Sequence, residues 1–243
     1  MGVLTIATWN TQWRMPGSKD AELIVARLKA TSPDIICLTE ACADLPGNEG
    51  HVIACDPDHG YPVIPGRHKV LLWSREPWVE VDPLGHADLP PGRFIAGRTL
   101  TPAGPLQVIG LCIPWRGAHV QTGRRDRAFW QDHLLYLSAL RQHLDHTRGP
   151  ALLIGDFNQR VPRRYTPPHV HAALHAALGD RFRIATAGPI APLDRLAIDH
   201  VAHTSELAPL RIRALSNLSP QGRPISDHFG VVVQLGRTGE ACR

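Results

Sequence analysis

The sequence predicts a layered α/β protein in which sheets pack on one another and helices lie outside. Three observations carry that expectation. Short runs of β-branched and apolar residues recur along the whole chain, at 3–9, 34–39, 69–73, 106–113, 151–154, 197–202 and 230–235. A few segments place apolar residues at helical spacing. The remaining stretches, such as 44–50, 82–92 and 162–168, are rich in Pro and Gly and read as surface loops. Many strands with few helices fit sheets stacked face to face and covered by helices.

Each element has its own signature. The first run, Val3-Leu4-Thr5-Ile6-Ala7-Thr8-Trp9, is followed by a helix over 20–30, where Leu23, Ile24, Arg27 and Leu28 fall at helical spacing. Runs 34–39, 69–73 and 106–113 come next. A long helix is expected over 124–146, with Trp130, Leu134, Leu137, Leu140 and Leu144 as its packing stripe and Thr122 as its cap. Its opening cluster, Arg124-Arg125-Asp126-Arg127, opposes the helix dipole and reads as solvated charge. A third helix is expected over 169–178. There His171 and His175 have metal-ligand spacing, but no Cys or acidic residue accompanies them, so with His169 they read as a solvated face.

Composition sets the class. With 43% hydrophobic and 20% charged residues, the 243-residue chain is neither disordered nor fibrous, and one domain over 1–243 is expected. No window approaches the roughly 18 apolar residues of a membrane helix. The chain enters its first strand without a basic leader, so we expect it to be neither exported nor anchored, and cytoplasmic. Its five cysteines (Cys37, Cys42, Cys55, Cys112 and Cys242) are odd in number and form no CxxC pair, which suits a reducing compartment. Of the 26 basic residues, 23 are Arg. Arg is the better bidentate phosphate binder, although GC-rich codon usage explains such a bias equally well.

Polar residues collect at the ends of the strand-like runs. Asn10 ends the first and Glu40 the second; Asp156 and Asn158 follow Leu152-Leu153-Ile154-Gly155; Asp199 and His200 follow Leu196-Ala197-Ile198; Asp227 and His228 precede the last. Any one of these is an ordinary turn or capping residue. Together on one rim, the carboxylates, amides and histidine would offer oxygen ligands to a hard cation and a base to a reacting group.

Thr8-Trp9-Asn10, Leu38-Thr39-Glu40, Gly155-Asp156-Phe157-Asn158, Ile198-Asp199-His200 and Ser226-Asp227-His228, in this order, resemble the core motifs of the endonuclease/exonuclease/phosphatase superfamily. The segment from Lys69 to Arg75 also resembles its strand ending in Ser-Arg. The resemblance spans 5–235. It implies a four-layer αββα sandwich of two packed, mainly antiparallel mixed sheets, and hydrolysis of a phosphoester with Mg²⁺ or Mn²⁺. Carried over by position, Glu40 is the principal metal ligand with Asn10 and Asp227 nearby. Asp156 orients or deprotonates the attacking water, Asn158 holds a phosphate oxygen, and His228 contacts the phosphate with Asp199 on its other nitrogen.

Two departures from the family pattern bear on substrate. Cys112 stands where nuclease branches place a Tyr or His that reaches the phosphate, which leaves His119 and Arg116 downstream as substitute donors. Gln12 replaces an Asp of some apurinic endonucleases, and Arg195-Leu196-Ala197-Ile198-Asp199-His200 lacks their Gly-Trp-Arg-x-Asp-Tyr signature. Asn158-Gln159-Arg160 matches the Asn-x-Arg of inositol phosphatases only in part. Hence we expect a monomeric phosphodiesterase acting on nucleic acid, with DNA ahead of RNA. The alternatives are an enzyme of small or lipid-linked phosphoesters and a catalytically silent binding protein on the same fold. Loops 57–67, 82–97 and 160–169 are the expected substrate-selecting segments.

Overall fold

A computed structural model describes residues 2–47 and 49–239. Its elements run β1 (Leu4–Asn10), α1 (Lys19–Lys29), β2 (Ile35–Cys42), β3 (His51–Ala54), β4 (Arg67–Ser74), β5 (Trp78–Asp82), β6 (Phe94–Thr101) and β7 (Gly104–Cys112). Then come α2 (Gln131–Asp145), β8 (Ala151–Asp156), α3 (Pro168–Leu178), β9 (Arg183–Ile184), β10 (Pro189–Ile190), β11 (Arg195–Leu196), β12 (Asp199–His203), β13 (Leu207–Leu215) and β14 (Gly230–Arg237).

Two six-stranded sheets form, in the orders β13-β14-β1-β2-β4-β3 and β5-β6-β7-β8-β12-β9. In each sheet the neighbours are antiparallel except one central pair, β1–β2 in the first and β7–β8 in the second. The two-residue period of a strand explains the layering. Along β1, Leu4 and Ile6 join the core between the sheets, while Ala7 and Trp9 face the core beneath α1, with Ile24 and Leu28. In the second sheet, Leu152 and Ile154 point to the inter-sheet core, and Leu153 packs outward on Tyr136, Leu137, Leu140 and Leu174 of α2 and α3. The result is helix, sheet, sheet, helix: the αββα sandwich.

Ser18 accepts a hydrogen bond from the Ala21 amide at the start of α1, and Asp20 and Glu22 in the first turn suit the helix dipole. The second helix departs from the sequence expectation. It begins at Gln131, seven residues late, because Trp130 has a left-handed backbone (φ 69°) that cannot propagate a helix. Thr122 therefore caps nothing. The Arg124–Arg127 cluster lies in the preceding loop, where Arg124 and Arg127 pair with Asp126 and Arg127 also holds Asp132 at 2.6 Å. The expected loop 82–97 also ends early, since 94–97 are the buried start of β6. Strands β3, β5 and β13 had no signature in the sequence. Cys37, Cys42, Cys55 and Cys112 are free thiols, as expected; Cys242 lies outside the described residues. Among the described residues no helix is long and apolar enough to cross a membrane.

Gly155 is the tightest point of the scaffold. Its φ is +133°, and a Cβ there would stand 2.1 Å from the Leu111 carbonyl oxygen on the adjoining parallel strand. Gly155→Ala must strain the backbone and push β8 from β7, so it should cost on the order of 3 kcal/mol in denaturant unfolding. A variant as stable as the parent would contradict this packing.

Candidate active site

The strand register brings the motif residues to one rim of the sandwich. In the first sheet Asn10 is level with Thr39, next to Glu40, and His228 lies two residues before β14, the antiparallel neighbour of β1. In the second sheet Asp199 pairs with Asp156, and Cys112 with Asp156 from the other side. The ends of six central strands thus meet where the two sheets face each other.

The centre is a buried carboxylate pair with a histidine. Asp156, Asp199 and His228 offer ligand atoms all within 4.8 Å of one another. Asp156 is 2% exposed; its Oδ2 accepts from Asn10 Nδ2 at 3.1 Å and its Oδ1 from the Asn158 amide at 2.9 Å. His228 Nδ1 donates to Asp199 Oδ2 at 2.5 Å, while Asp199 Oδ1 is buried with no hydrogen-bond partner among the described residues. Neighbouring bonds fix His228. Trp9 Nε1 donates to its carbonyl at 2.9 Å, and its amide donates to Ser226 Oγ, which in turn donates to the Asn10 carbonyl at 2.7 Å. Asp227 stands outside, 61% exposed, with Oδ1 3.9 Å from His228 Nε2.

Charge crowding governs the ionisation of this group. Burial pushes the Asp156 carboxyl up to about 7; His228 pulls it down, and the negative charges of Asp199 and Glu40 raise it further. For His228, burial alone would lower the pKa. The Asp199 carboxylate outweighs it by charge and hydrogen bond, with help from Asp156 and Asp227, and the imidazole is pushed up to about 10. The histidine is therefore an imidazolium at neutral pH.

Glu40 holds a different partner. Thr39 faces Val70 and Ala41 faces His68 across β2 and β4, which sets Glu40 opposite Lys69, and Lys69 Nζ lies 2.6 Å from Glu40 Oε1. Glu40 itself has a left-handed backbone, φ 48°, a strained state of the kind that gathers at functional sites.

Behind the Asp156–Asn158 turn lies a buried polar relay. Asn158 Nδ2 donates to the Ile113 carbonyl at 2.8 Å. His133 Nδ1 donates to the Pro114 carbonyl at 2.7 Å, leaving Nε2 to accept from Gln159 Nε2 at 2.8 Å. His200 Nε2 donates to the Gln159 carbonyl at 2.9 Å. Burial pushes both His133 and His200 down to about 4, so they act as neutral hydrogen-bonding groups that hold the turn. His171 joins this relay through Gln159 Oε1 at 3.3 Å. It is half-buried and is not the solvated face expected of it.

The two substitute donors proposed for the Cys112 position are not in this cluster. His119 is 3% exposed, stacks on Tyr61 with ring centroids 4.4 Å apart, and accepts the Arg124 amide at Nδ1. Burial first, then the Arg124 charge, pushes its pKa down, which disfavours the protonated donor. Arg116 is exposed. Cys112 itself turns into the inter-sheet core, where burial raises its thiol pKa. Cations beside the site include Lys69 and Arg93. Arg93 is 3% exposed, donates to the Cys112 carbonyl at 3.4 Å, and lines one cleft with Glu40 and Lys69. Arg93 falls inside the segment 82–97 expected as a loop; as a polar residue just before a buried strand it is placed like Asp227 and His228 rather than like Asn10 and Asp156.

The sequence matches the Endonuclease/Exonuclease/phosphatase family over residues 7–228. The chain belongs to this family. Members of the family are hydrolases of phosphoester bonds, typically dependent on a divalent metal. Similar solved structures include an endonuclease/exonuclease/phosphatase from Beutenbergia cavernae DSM 12333, with TM-score 0.69, 23% identity, and coverage of 99% of this chain and 74% of that one. D. rerio TDP2 complexed with single strand DNA product gives TM-score 0.69, 12% identity, and coverage of 97% and 100%. The 3′ phosphatase NExo from Neisseria bound to product DNA hairpin gives 0.66, 17%, and 95% and 98%. No curated protein matches the sequence.

The His228–Asp199 pair should shape the pH dependence of stability. Because the folded pKa of His228 is raised, the pair contributes fully below about pH 6.5 and the contribution is lost as pH rises through about 10. The stability gap between the protein and His228→Gln, measured by denaturant unfolding, should narrow over that window. A gap that widens with rising pH would contradict the assignment.

Proposed function

We propose that the chain, acting as one domain over 1–243 and as a monomer, is a Mg²⁺- or Mn²⁺-dependent phosphodiesterase of nucleic acid, with DNA the favoured substrate. The observation that carries this reading is the charge balance at the rim. Four carboxylates (Glu40, Asp156, Asp199 and Asp227) face an imidazolium and Lys69, and Asp156 is pushed up to about 7 by burial first and then by the negative charges of Asp199 and Glu40. Hard oxygen donors with excess negative charge suit a small divalent cation. Glu40 would hold it, with Asn10 and Asp227 beside it. When bound, such an ion neutralises phosphate charge and acts as a Lewis acid.

The roles of the chain's own groups follow from their bonds. Asp156, fixed by Asn10 and by the Asn158 amide, is positioned to accept a proton from the attacking water as the new O–P bond forms. His228, protonated and locked by Asp199, faces the charge that develops on phosphorus-bound oxygen before the leaving oxygen departs. Asn158 is held at the same place by the Ile113 carbonyl and keeps a second amide N–H for a phosphate oxygen. The similar structures that hold DNA products support nucleic acid over small phosphoesters. A catalytically silent role is disfavoured, because a protein free of catalysis gains nothing from burying two adjacent carboxylates.

Glu40→Gln should weaken metal binding and turnover together, since a neutral amide cannot offset the ion's charge. Asp156→Asn and His228→Ala should each lower turnover on DNA by on the order of 10²-fold or more, with the fold retained. Steady-state rates with Mg²⁺ or Mn²⁺ and folding controls check both. Undiminished rates in folded variants would remove the assigned roles. DNA binding should also weaken with salt, with a log–log slope near the number of phosphates neutralised. A flat salt dependence would favour a small phosphoester.

A further inference from the structure

The cleft next to Glu40 has a character that phosphoester chemistry alone does not require. It measures about 480 Å³, and its lining includes the rings of Trp13, His59 and Tyr61 together with Arg67, Lys69 and Arg93. Glu40 is part of the same lining. We propose that this cleft is a subsite for a single unpaired nucleobase, that of the terminal nucleotide whose phosphate lies at the rim. The inference deepens the nucleic-acid reading above and rests on it.

The rings form a series of near-parallel plates. Trp13 and His59 have centroids 6.0 Å apart and planes within 29°, His59 and Tyr61 are 5.6 Å apart within 25°, and Tyr61 stacks in turn on buried His119. Spacings near 6 Å are wider than face-to-face contact, so the plates are offset, and all three rings that line the cleft are only half-buried. Part of each ring is thus open to an occupant. The plates are held from outside the cleft: Tyr61 Oη accepts the His119 amide at 3.0 Å, and Gly92, where a Cβ would stand 2.2 Å from the Asp58 carbonyl, lets the 56–61 loop press against the start of β6. Trp13 is held through its own backbone, whose amide donates to the Glu40 carbonyl at 2.7 Å. The ring wall is therefore tied directly to the metal-ligand candidate.

Charge selects the occupant. Arg67 and Lys69 place their cationic heads 5.4 and 5.0 Å from the Trp13 ring centre, which makes that wall cationic as well as aromatic. Three cations against one carboxylate call for an anion, and stacked rings call for a flat, polarisable group attached to it. A nucleotide is both. An acyl chain would use neither the ring planes nor the hydroxyls of Tyr61 and Thr122, which lie 3.3 Å apart in the lining and offer polar partners to a base edge. The volume suits one nucleotide, and a base stacked on these rings has left the stack of a duplex, so the subsite implies action at an unpaired end.

The test is equilibrium binding by calorimetry to the full chain, which needs no turnover. Three probes share a phosphate and differ in what it carries: 2′-deoxyadenosine 5′-monophosphate, 2-deoxyribose 5-phosphate and octyl phosphate. The nucleotide should bind at least ~5-fold more tightly than the sugar phosphate, the lower bound for one stacked base. Trp13→Ala and Tyr61→Ala should abolish that advantage while leaving sugar-phosphate affinity in place, and Trp13→Phe should keep it; thermal unfolding checks that each variant folds. Equal binding of nucleotide and sugar phosphate, a base advantage that survives both alanine variants, or tightest binding of octyl phosphate would each overturn the subsite. A base advantage in a protein that cleaves no DNA would leave the subsite standing and reject the nuclease reading instead. DNA cleavage without a base advantage would do the reverse.

Discussion

The rest of this site depends on one constraint: Asp156 is a carboxylate buried at the end of a parallel strand pair, next to a second buried carboxylate. Such a pair is costly unless opposite charge is near. The protein supplies part of that charge with His228, held in register by Trp9, Ser226 and Asp199, and part with Lys69 on Glu40. In the proposed function, what remains uncompensated would give the rim its affinity for a divalent cation and, through it, for phosphate. Hydrogen bonds that look structural, such as Asn10 to Asp156, therefore serve the chemistry by fixing where that charge sits.

The two sheets matter because each supplies half of the constellation. Asn10, Glu40 and His228 come from the ends of first-sheet strands, whereas Asp156, Asn158 and Asp199 come from the second. The relative placement of the halves is set by the apolar side chains between the sheets, among them Ile6, Cys37, Val70, Ile154 and Val231. Asn10, Glu40, Asp156 and Asp199 sit on strands, while Asn158 and His228 sit in the short segments beside β8 and β14, and the polar relay through Gln159, His133 and His200 stiffens the first of these.

Much of this was legible in the sequence because central strands are buried on both faces and read as unbroken apolar runs, each ending in a polar residue. The same logic explains what was not legible. In β5 most side chains are exposed, in β13 a run of exposed residues including Pro209 and Arg211 breaks the apolar pattern, and β3 is a short edge strand. Strand β6 was hidden behind Pro90-Pro91-Gly92 and interrupted by Gly97 and Arg98, which look like loop residues until the pairing with β7 is known. The left-handed Trp130 delays the start of α2, and nothing in the residue type signals that conformation. Lys69 and Arg93 as site neighbours, and the departure of His119 from the cluster, depend on cross-strand register, which local pattern cannot supply.

The most direct test is hydrolysis by the purified protein of single-stranded DNA, duplex DNA, RNA, a generic phosphate bis-ester and inositol phosphates, each with Mg²⁺ or Mn²⁺ and again with EDTA. The account predicts cleavage of DNA that stops with EDTA and returns when the metal is restored. Hydrolysis that continues undiminished in EDTA, or turnover confined to inositol phosphates, would contradict it.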